Sequence, residues 1–226
     1  MYDELNVAEQ KIVNVVVATS GDTGSAAISA LNDRKNINLF VLHPNNKISN
    51  IQRKIMTTIG SSNVFNVAVK GTFDDCQKIV KEMFSDNLFR EKINMSGVNS
   101  INWARIICQI VYYFYAAFKF PDKKINFSVP TGNFGDIYAG YLAKKMGLPM
   151  GMLIAATNKN DILHRVINTG EYKPSLVKPS LSPSMDIQVS SNFERLLYDV
   201  VSHDDKKVLS LMENLKSQGS FKLDKE

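Results

Sequence analysis

Apolar positions along this chain come in two alternating kinds of run, short unbroken ones and longer ones with a helical repeat. Residues 12–18 (IVNVVVA) are mostly β-branched and show little polar alternation, which predicts a strand buried on both faces. Residues 23–31 predict a helix, and 36–42 a second strand. Residues 49–59 predict a second helix, with Ser49 as its cap and Ile51, Ile55 and Ile59 spaced by four. Residues 63–69 predict a third strand. Residues 73–84 predict a third helix with Phe73, Cys76, Val80, Met83 and Phe84 on one face. Strand and helix in strict alternation predict a parallel sheet with helices on both faces.

The pattern is irregular over residues 87–99 and then restarts. A long helix is expected over 101–118, a strand over 125–129, and a helix over 134–146 closed by Gly147 and Pro149. A buried strand follows at 150–156, then a helix at 161–168 started by Asn158 or Asn160. Residues 172–184 carry Pro174, Pro179 and Pro183 among serines and predict a loop. Helices follow at 192–201 and 204–215, and the tail is polar and turn-like. The break near residues 90–100 predicts two α/β lobes, 1–98 and 99–226, with a cleft between them. No internal repeat is visible.

Composition narrows the function classes. The 226 residues carry 27 Lys+Arg against 22 Asp+Glu, a net charge of +5 with the lysines spread along the chain. Without a basic run or arm, nucleic acid is a poor partner, and an anionic small molecule fits better. Cys76 and Cys108 fall in apolar helical patterns and are expected as buried free thiols; His43, His164 and His203 have no metal spacing, so no metal is expected. Two cysteines without a disulfide pattern, and a polar, acidic start at Met1–Glu4 unlike a signal peptide, point to a cytoplasmic protein. The longest apolar stretch runs about 15 residues, short of the roughly 20 that cross a bilayer, so no membrane association is expected.

Two glycine-rich turns carry the candidate chemistry. Both stand where a predicted strand gives way to a helix: Ser20-Gly21-Asp22-Thr23-Gly24, and Thr131-Gly132-Asn133-Phe134-Gly135-Asp136. Glycines allow a tight turn and close backbone approach, and a helix start presents free N–H groups, which together suit phosphate or carboxylate. Asp22 opposes an anion and is better suited to accept from a ligand hydroxyl or amine. Asp136 is placed to cap its helix or to bind its backbone. Neither turn is a Walker A loop or a G-x-G-x-x-G fingerprint, which counts against a kinase or a dehydrogenase. Two further clusters stand beside the turns. In NSINWAR, Ser100 and Asn102 are natural caps, and Arg105 one turn later calls for a buried partner or an anionic ligand. HPNNKIS follows the second strand and places Lys47 at a strand's carboxyl end.

TSGDTGSAA, HPNNKIS, NSINWAR and VPTGNFGDIYAGYLAKKMGLP, in this order and spacing, resemble the threonine synthase family. The resemblance runs from about Val13 to at least Ser191. It implies the two-lobed, tryptophan-synthase-β-like fold of pyridoxal-phosphate enzymes (fold type II), with parallel sheets flanked by helices, present here in incomplete form. It implies a lyase of threonine biosynthesis that converts O-phospho-L-homoserine and water to L-threonine and phosphate with pyridoxal 5′-phosphate as cofactor. By position, Gly132, Asn133, Phe134, Gly135 and Asp136 would bind the cofactor's phosphate, and Asp22 would lie near its 3′ oxygen. Ser20, Gly21, Thr23 and Gly24 would grip the substrate carboxylate. Ser100, Arg105 and Asn133 would take the substrate phosphate, with Lys47 adding charge nearby.

One departure bears on activity. In the family, the lysine that links the cofactor precedes the first glycine turn within a phenylalanine-lysine-aspartate sequence. Here the only lysine ahead of Ser20 is Lys11, without those neighbours. The chain therefore reads as an internal portion of a longer enzyme, lacking a catalytic lysine and inactive alone, with the missing N- and C-terminal segments as its partners. The alternative is a non-catalytic module of the same fold that binds phosphate or carboxylate.

Overall fold

The computed structural model describes residues 11–99 and 101–223, which fold as two compact units, Met1–Asn99 and Ser100–Glu226. The first unit is built on strands β1 (Val13–Ala18), β2 (Ile37–Pro44), β3 (Val64–Val69) and β4 (Met95–Gly97). They pair in the order β3-β2-β1-β4, every pair parallel. Helices α1 (Asp22–Leu31), α2 (Asn50–Thr57) and α3 (Phe73–Ser85) are the crossovers. One sheet face buries Val15, Val17, Leu39 and Val41 with Ile28 of α1 and Met56 of α2; the other buries Val16 and Leu42 with Cys76 of α3. Both faces are covered, which is why β1 reads as an unbroken apolar run.

Two short elements occupy the stretch that the pattern left irregular. Helix α4 (Asn87–Lys92) is capped by Asp86, whose Oδ1 accepts from the Phe89 N–H at 3.0 Å, and β4 joins the free edge of β1. Six and three residues are too few to display a period. In α2 the expected row also fails in part. Ile51 and Ile55 are exposed and Met56 is the buried residue, so the face turned to the sheet lies one position over.

The second unit comprises α5 (Trp103–Phe118), β5 (Ile125–Pro130), α6 (Gly135–Lys145), β6 (Met150–Ala156), α7 (Ile162–Thr169), β7 (Glu171–Tyr172), α8 (Phe193–Val200), α9 (Asp205–Gln218) and β8 (Phe221–Lys222). β5 and β6 are parallel; β7 and β8 form a small antiparallel pair, so the polar tail holds a strand the sequence did not suggest. Its anchor is aromatic. Tyr172 stacks on Phe221 at 5.0 Å and meets Phe193 at 5.3 Å. Cys108 is exposed, against expectation, while Cys76 is buried. Helix α5 turns Ile106, Tyr113 and Ala117 inward, and Cys108 lies about 200° around from Ile106.

The predicted loop holds a 3-10 turn at Pro183–Met185 and is tied down by Asp186. Its carboxylate accepts from Asn160 Nδ2 and from the Ser180 N–H, each at 2.9 Å, while Asn160 Oδ1 accepts from the Lys178 N–H at 2.9 Å. Among the described residues, no helix is long and apolar enough to cross a membrane, and no group of three His, Cys, Asp or Glu could hold a metal.

Helices α5 and α6 approach closely because α6 offers Ala139, Gly140 and Ala143 at the contact. A Cβ added at Gly140 would stand 2.5 Å from the Tyr113 ring and 2.9 Å from Leu153. Gly140→Ala is expected to destabilise the protein by about 1–3 kcal/mol, read as a lower urea midpoint; an unchanged midpoint would contradict this packing.

Candidate functional site

The first turn is organised from within. The ladder continues past β1 as the Thr19 N–H donates to the Leu42 carbonyl at 2.9 Å. Thr19 is buried, and its Oγ1 accepts from the Gly21 and Gly24 N–H groups, both at 2.9 Å, which bends the chain from β1 into α1. Gly21 has φ of 133°, a conformation that L side chains rarely adopt. Gly24 is required by contact, since a Cβ there would lie 2.5 Å from Thr19 Cγ2 and 2.9 Å from the Met56 sulfur. Asp22 is exposed, and its Oδ1 accepts from Gln52 Nε2 at 2.5 Å, which ties α1 to α2. Ser49 caps α2 as expected, accepting from the Gln52 N–H at 3.1 Å. Ser20 is half-buried with no hydroxyl partner among the described residues, Thr23 sits in the first turn of α1, and Lys47 is exposed between β2 and α2.

The second turn is held from outside. Phe134 precedes α6 in the left-handed region, with φ of 64° and ψ of 5°. That conformation costs a bulky residue about 1–2 kcal/mol. Burial of the ring, set edge-on to Phe193 at 5.5 Å, contributes about 1.5–3 kcal/mol and outweighs the cost. The consequence is at the helix start. No side chain caps α6, and among the described residues the N–H groups of Gly135, Asp136 and Ile137 have no protein acceptor. Gly132 lies against the 3-10 turn, where a Cβ would stand 3.1 Å from Ile187 and 3.2 Å from Met185. Three unpaired donors beside a glycine, at the positive end of a helix, fit a phosphate group.

Asp136 does not cap the helix. It lies in the first turn, where the Tyr113 hydroxyl donates to its carbonyl at 2.9 Å and to its Oδ1 at 3.2 Å. Burial raises the Asp136 carboxyl above its ordinary value of 3.8, against the Tyr113 hydrogen bond, which lowers it.

Asn102 caps α5, accepting from the Ala104 N–H at 2.9 Å, and Arg105 is half-buried in the first turn of that helix. Ser100 lies outside the described residues. Sequence reasoning missed the segment Ser190–Arg195, which holds the second turn. Asn192 is fully buried, and both its N–H and its Nδ2 donate to the Asn133 carbonyl, at 3.0 and 2.9 Å. Ser191 Oγ donates to Asn133 Oδ1 at 3.0 Å. The signal available was the run SSNFER at a helix start, whose polar residues reach back across 58 positions rather than into their own helix.

A model of the family described as pyridoxal-phosphate dependent enzymes matches residues 2–221. The chain belongs to this family. Threonine synthase of Pseudomonas aeruginosa is 52% identical over 226 residues, covering 99% of this chain and 48% of the relative. That of Saccharomyces cerevisiae is 51% identical, covering 96% and 45%. The chain is also similar to the structure of pyridoxal-phosphate-bound threonine synthase from Brucella melitensis, with a TM-score of 0.88 and 51% identity over 99% of this chain and 48% of that one. The chain thus spans about half the length of the curated relatives it matches. A maize serine racemase, 14% identical at a TM-score of 0.60, shares the fold alone. The fold is type II among pyridoxal-phosphate enzymes, with parallel sheets flanked by helices.

The Asp136 environment gives a pH-dependent expectation. A carboxyl whose value is raised on folding stabilises the fold below its unfolded value, and that contribution is lost as pH rises through the folded value. Asp136→Asn keeps an acceptor for Tyr113 and removes the charge. Its stability should exceed that of the parent at pH 7, with the gap closing as pH falls from the raised folded value towards 3.8. Urea unfolding at both pH values checks this, and a gap that widens in acid would contradict it.

Proposed function

We propose that the chain is part of a threonine synthase, carrying the cofactor-phosphate turn and much of the substrate site for O-phospho-L-homoserine. The observation that carries this reading is the unpaired N–H triad at the start of α6, in a chain about half identical to threonine synthases over nearly its whole length. Bound at this turn, pyridoxal 5′-phosphate supplies the electron sink for chemistry at an amino acid's carbons. The chain's own residues bind and orient. Gly135, Asp136 and Ile137 donate their N–H groups to phosphate oxygens, while Gly132 and Phe134 set the path of the backbone. Asn133 has its Oδ1 occupied by Ser191, which leaves Nδ2 to donate toward an anion.

In the first unit, the Ser20 hydroxyl and the Asp22 N–H are the donors offered to a substrate carboxylate, with Gly21, Thr23 and Gly24 shaping the turn around them. Asp22 and Lys47 supply charge of opposite sign on that unit. Arg105, near the capped start of α5, is assigned to the substrate phosphate, where a guanidinium stabilises charge developing on the leaving group. Lys11, exposed just before β1, is not assigned to link the cofactor, because its neighbours are Gln10 and Ile12 rather than the phenylalanine and aspartate of the family's lysine.

Asn133→Asp keeps the Ser191 contact and places a negative charge at the turn. It should weaken pyridoxal 5′-phosphate binding by about tenfold or more in equilibrium titrations, and unchanged affinity would sink the assignment. Borohydride reduction of the chain mixed with pyridoxal 5′-phosphate should give no preferential label on Lys11; a reduced adduct concentrated at Lys11 would contradict that reading.

A further inference from the structure

The carbonyl of Asn133 ends a hydrogen-bonded line that starts at α5. Asn192 donates to that carbonyl twice, through its N–H and its Nδ2. Its Oδ1 accepts from Arg195 Nε at 3.2 Å. Arg195 Nη2 in turn donates to the Ile101 carbonyl at 2.9 Å, and the guanidinium lies over the Trp103 ring, 5.2 Å from its centroid. Ile101 and Trp103 flank Asn102, the cap of α5. The line therefore joins the beginning of one helix to the loop that begins another.

Each residue type is matched to its place. Asn192 is fully buried and uses donor and acceptor ends at once, which fixes the orientation of its amide. Aspartate there would keep the acceptor for Arg195, lose the donor to the turn and add a buried charge. Arg195 uses two donor nitrogens and one face of a rigid plane, which lysine, a flexible point charge, cannot reproduce.

We propose that Asn192 and Arg195 are positioning residues for phosphate recognition, holding the turn Thr131–Asp136 at a fixed spacing from the start of α5 so that the three N–H groups of α6 converge. The proposal rests on the reading of that turn as a phosphate site. The spacing matters because the turn has no cap of its own and Phe134 is held in a conformation that it leaves at a gain in local energy. Release of the Asn133 carbonyl removes the outside hold on that conformation.

The test uses Asn192→Asp and Arg195→Lys in the full chain, with two readouts. Amide hydrogen exchange at Thr131, Tyr138 and Asn192, whose N–H groups donate to the Ala156, Phe134 and Asn133 carbonyls, should quicken by about tenfold or more in both variants, while α7 and the β1–β2 pair keep the parent rates. Equilibrium dialysis should show pyridoxal 5′-phosphate affinity falling about tenfold with affinity for phosphate-free pyridoxal unchanged. Unchanged exchange at the turn overturns the proposal whatever the ligands do. Faster exchange with an unchanged affinity ratio, in a parent that prefers the phosphorylated form, also overturns it, because the two residues are then structural only. If the parent binds neither compound while the variants exchange faster at the turn, the phosphate reading falls and the positioning role stands.

Discussion

The start of α6 is the constraint on which the rest of the second unit depends. A helix that begins without a side-chain cap leaves N–H groups that water or a ligand must satisfy. Here the residue before the helix is Phe134 in the left-handed region, so the chain enters α6 at an angle that a capping side chain does not set. The Phe134 ring needs Phe193 to pack on, Phe193 needs Tyr172, and Tyr172 needs Phe221. A short antiparallel strand pair, with β8 at the end of the described chain, thereby supports a turn some ninety positions before β8. Three N–H groups are kept aligned and unpaired by this packing.

The two glycine turns look alike as sequence and differ as physical objects. The first satisfies much of its own backbone. Thr19 takes two N–H groups, Ser25 donates to the Gly21 carbonyl at 2.7 Å, and Gln52 occupies Asp22. The second borrows its order from Asn192, Ser191 and the loop around Ile187, all distant in sequence. A turn ordered by distant segments can leave more of its own donors for a ligand, and α6 does so.

Most of the fold was legible because buried parallel strands and amphipathic helices differ in period. The β1 run and the α3 face are cases where local pattern and tertiary burial agree, whereas the strand expected to be buried at Met150–Ala156 forms but leaves Met152 and Ile154 exposed, because an apolar run alone does not say whether both sheet faces are covered. What escaped was short or nonlocal. α4 and β4 are below the length at which a period shows, and Phe221 joins a sheet through aromatic stacking on Tyr172 rather than through any pattern of its own. Cys108 was misplaced because α5 carries apolar residues around much of its circumference, so composition alone does not identify the buried side. At the site, the glycines and the Asn102 cap could be read directly. The roles of Ser191, Asn192 and Arg195 could not, because their partners lie far back in the chain at Asn133 and Ile101.

Amide chemical-shift mapping of the chain titrated with inorganic phosphate and then with pyridoxal 5′-phosphate tests the central claim most directly. If the start of α6 is a phosphate cradle, the Gly135, Asp136 and Ile137 resonances move together and saturate with both compounds, with Asn133 and Asn192 following them. Saturable shifts confined to other parts of the chain, or none at these three amides, would contradict the account.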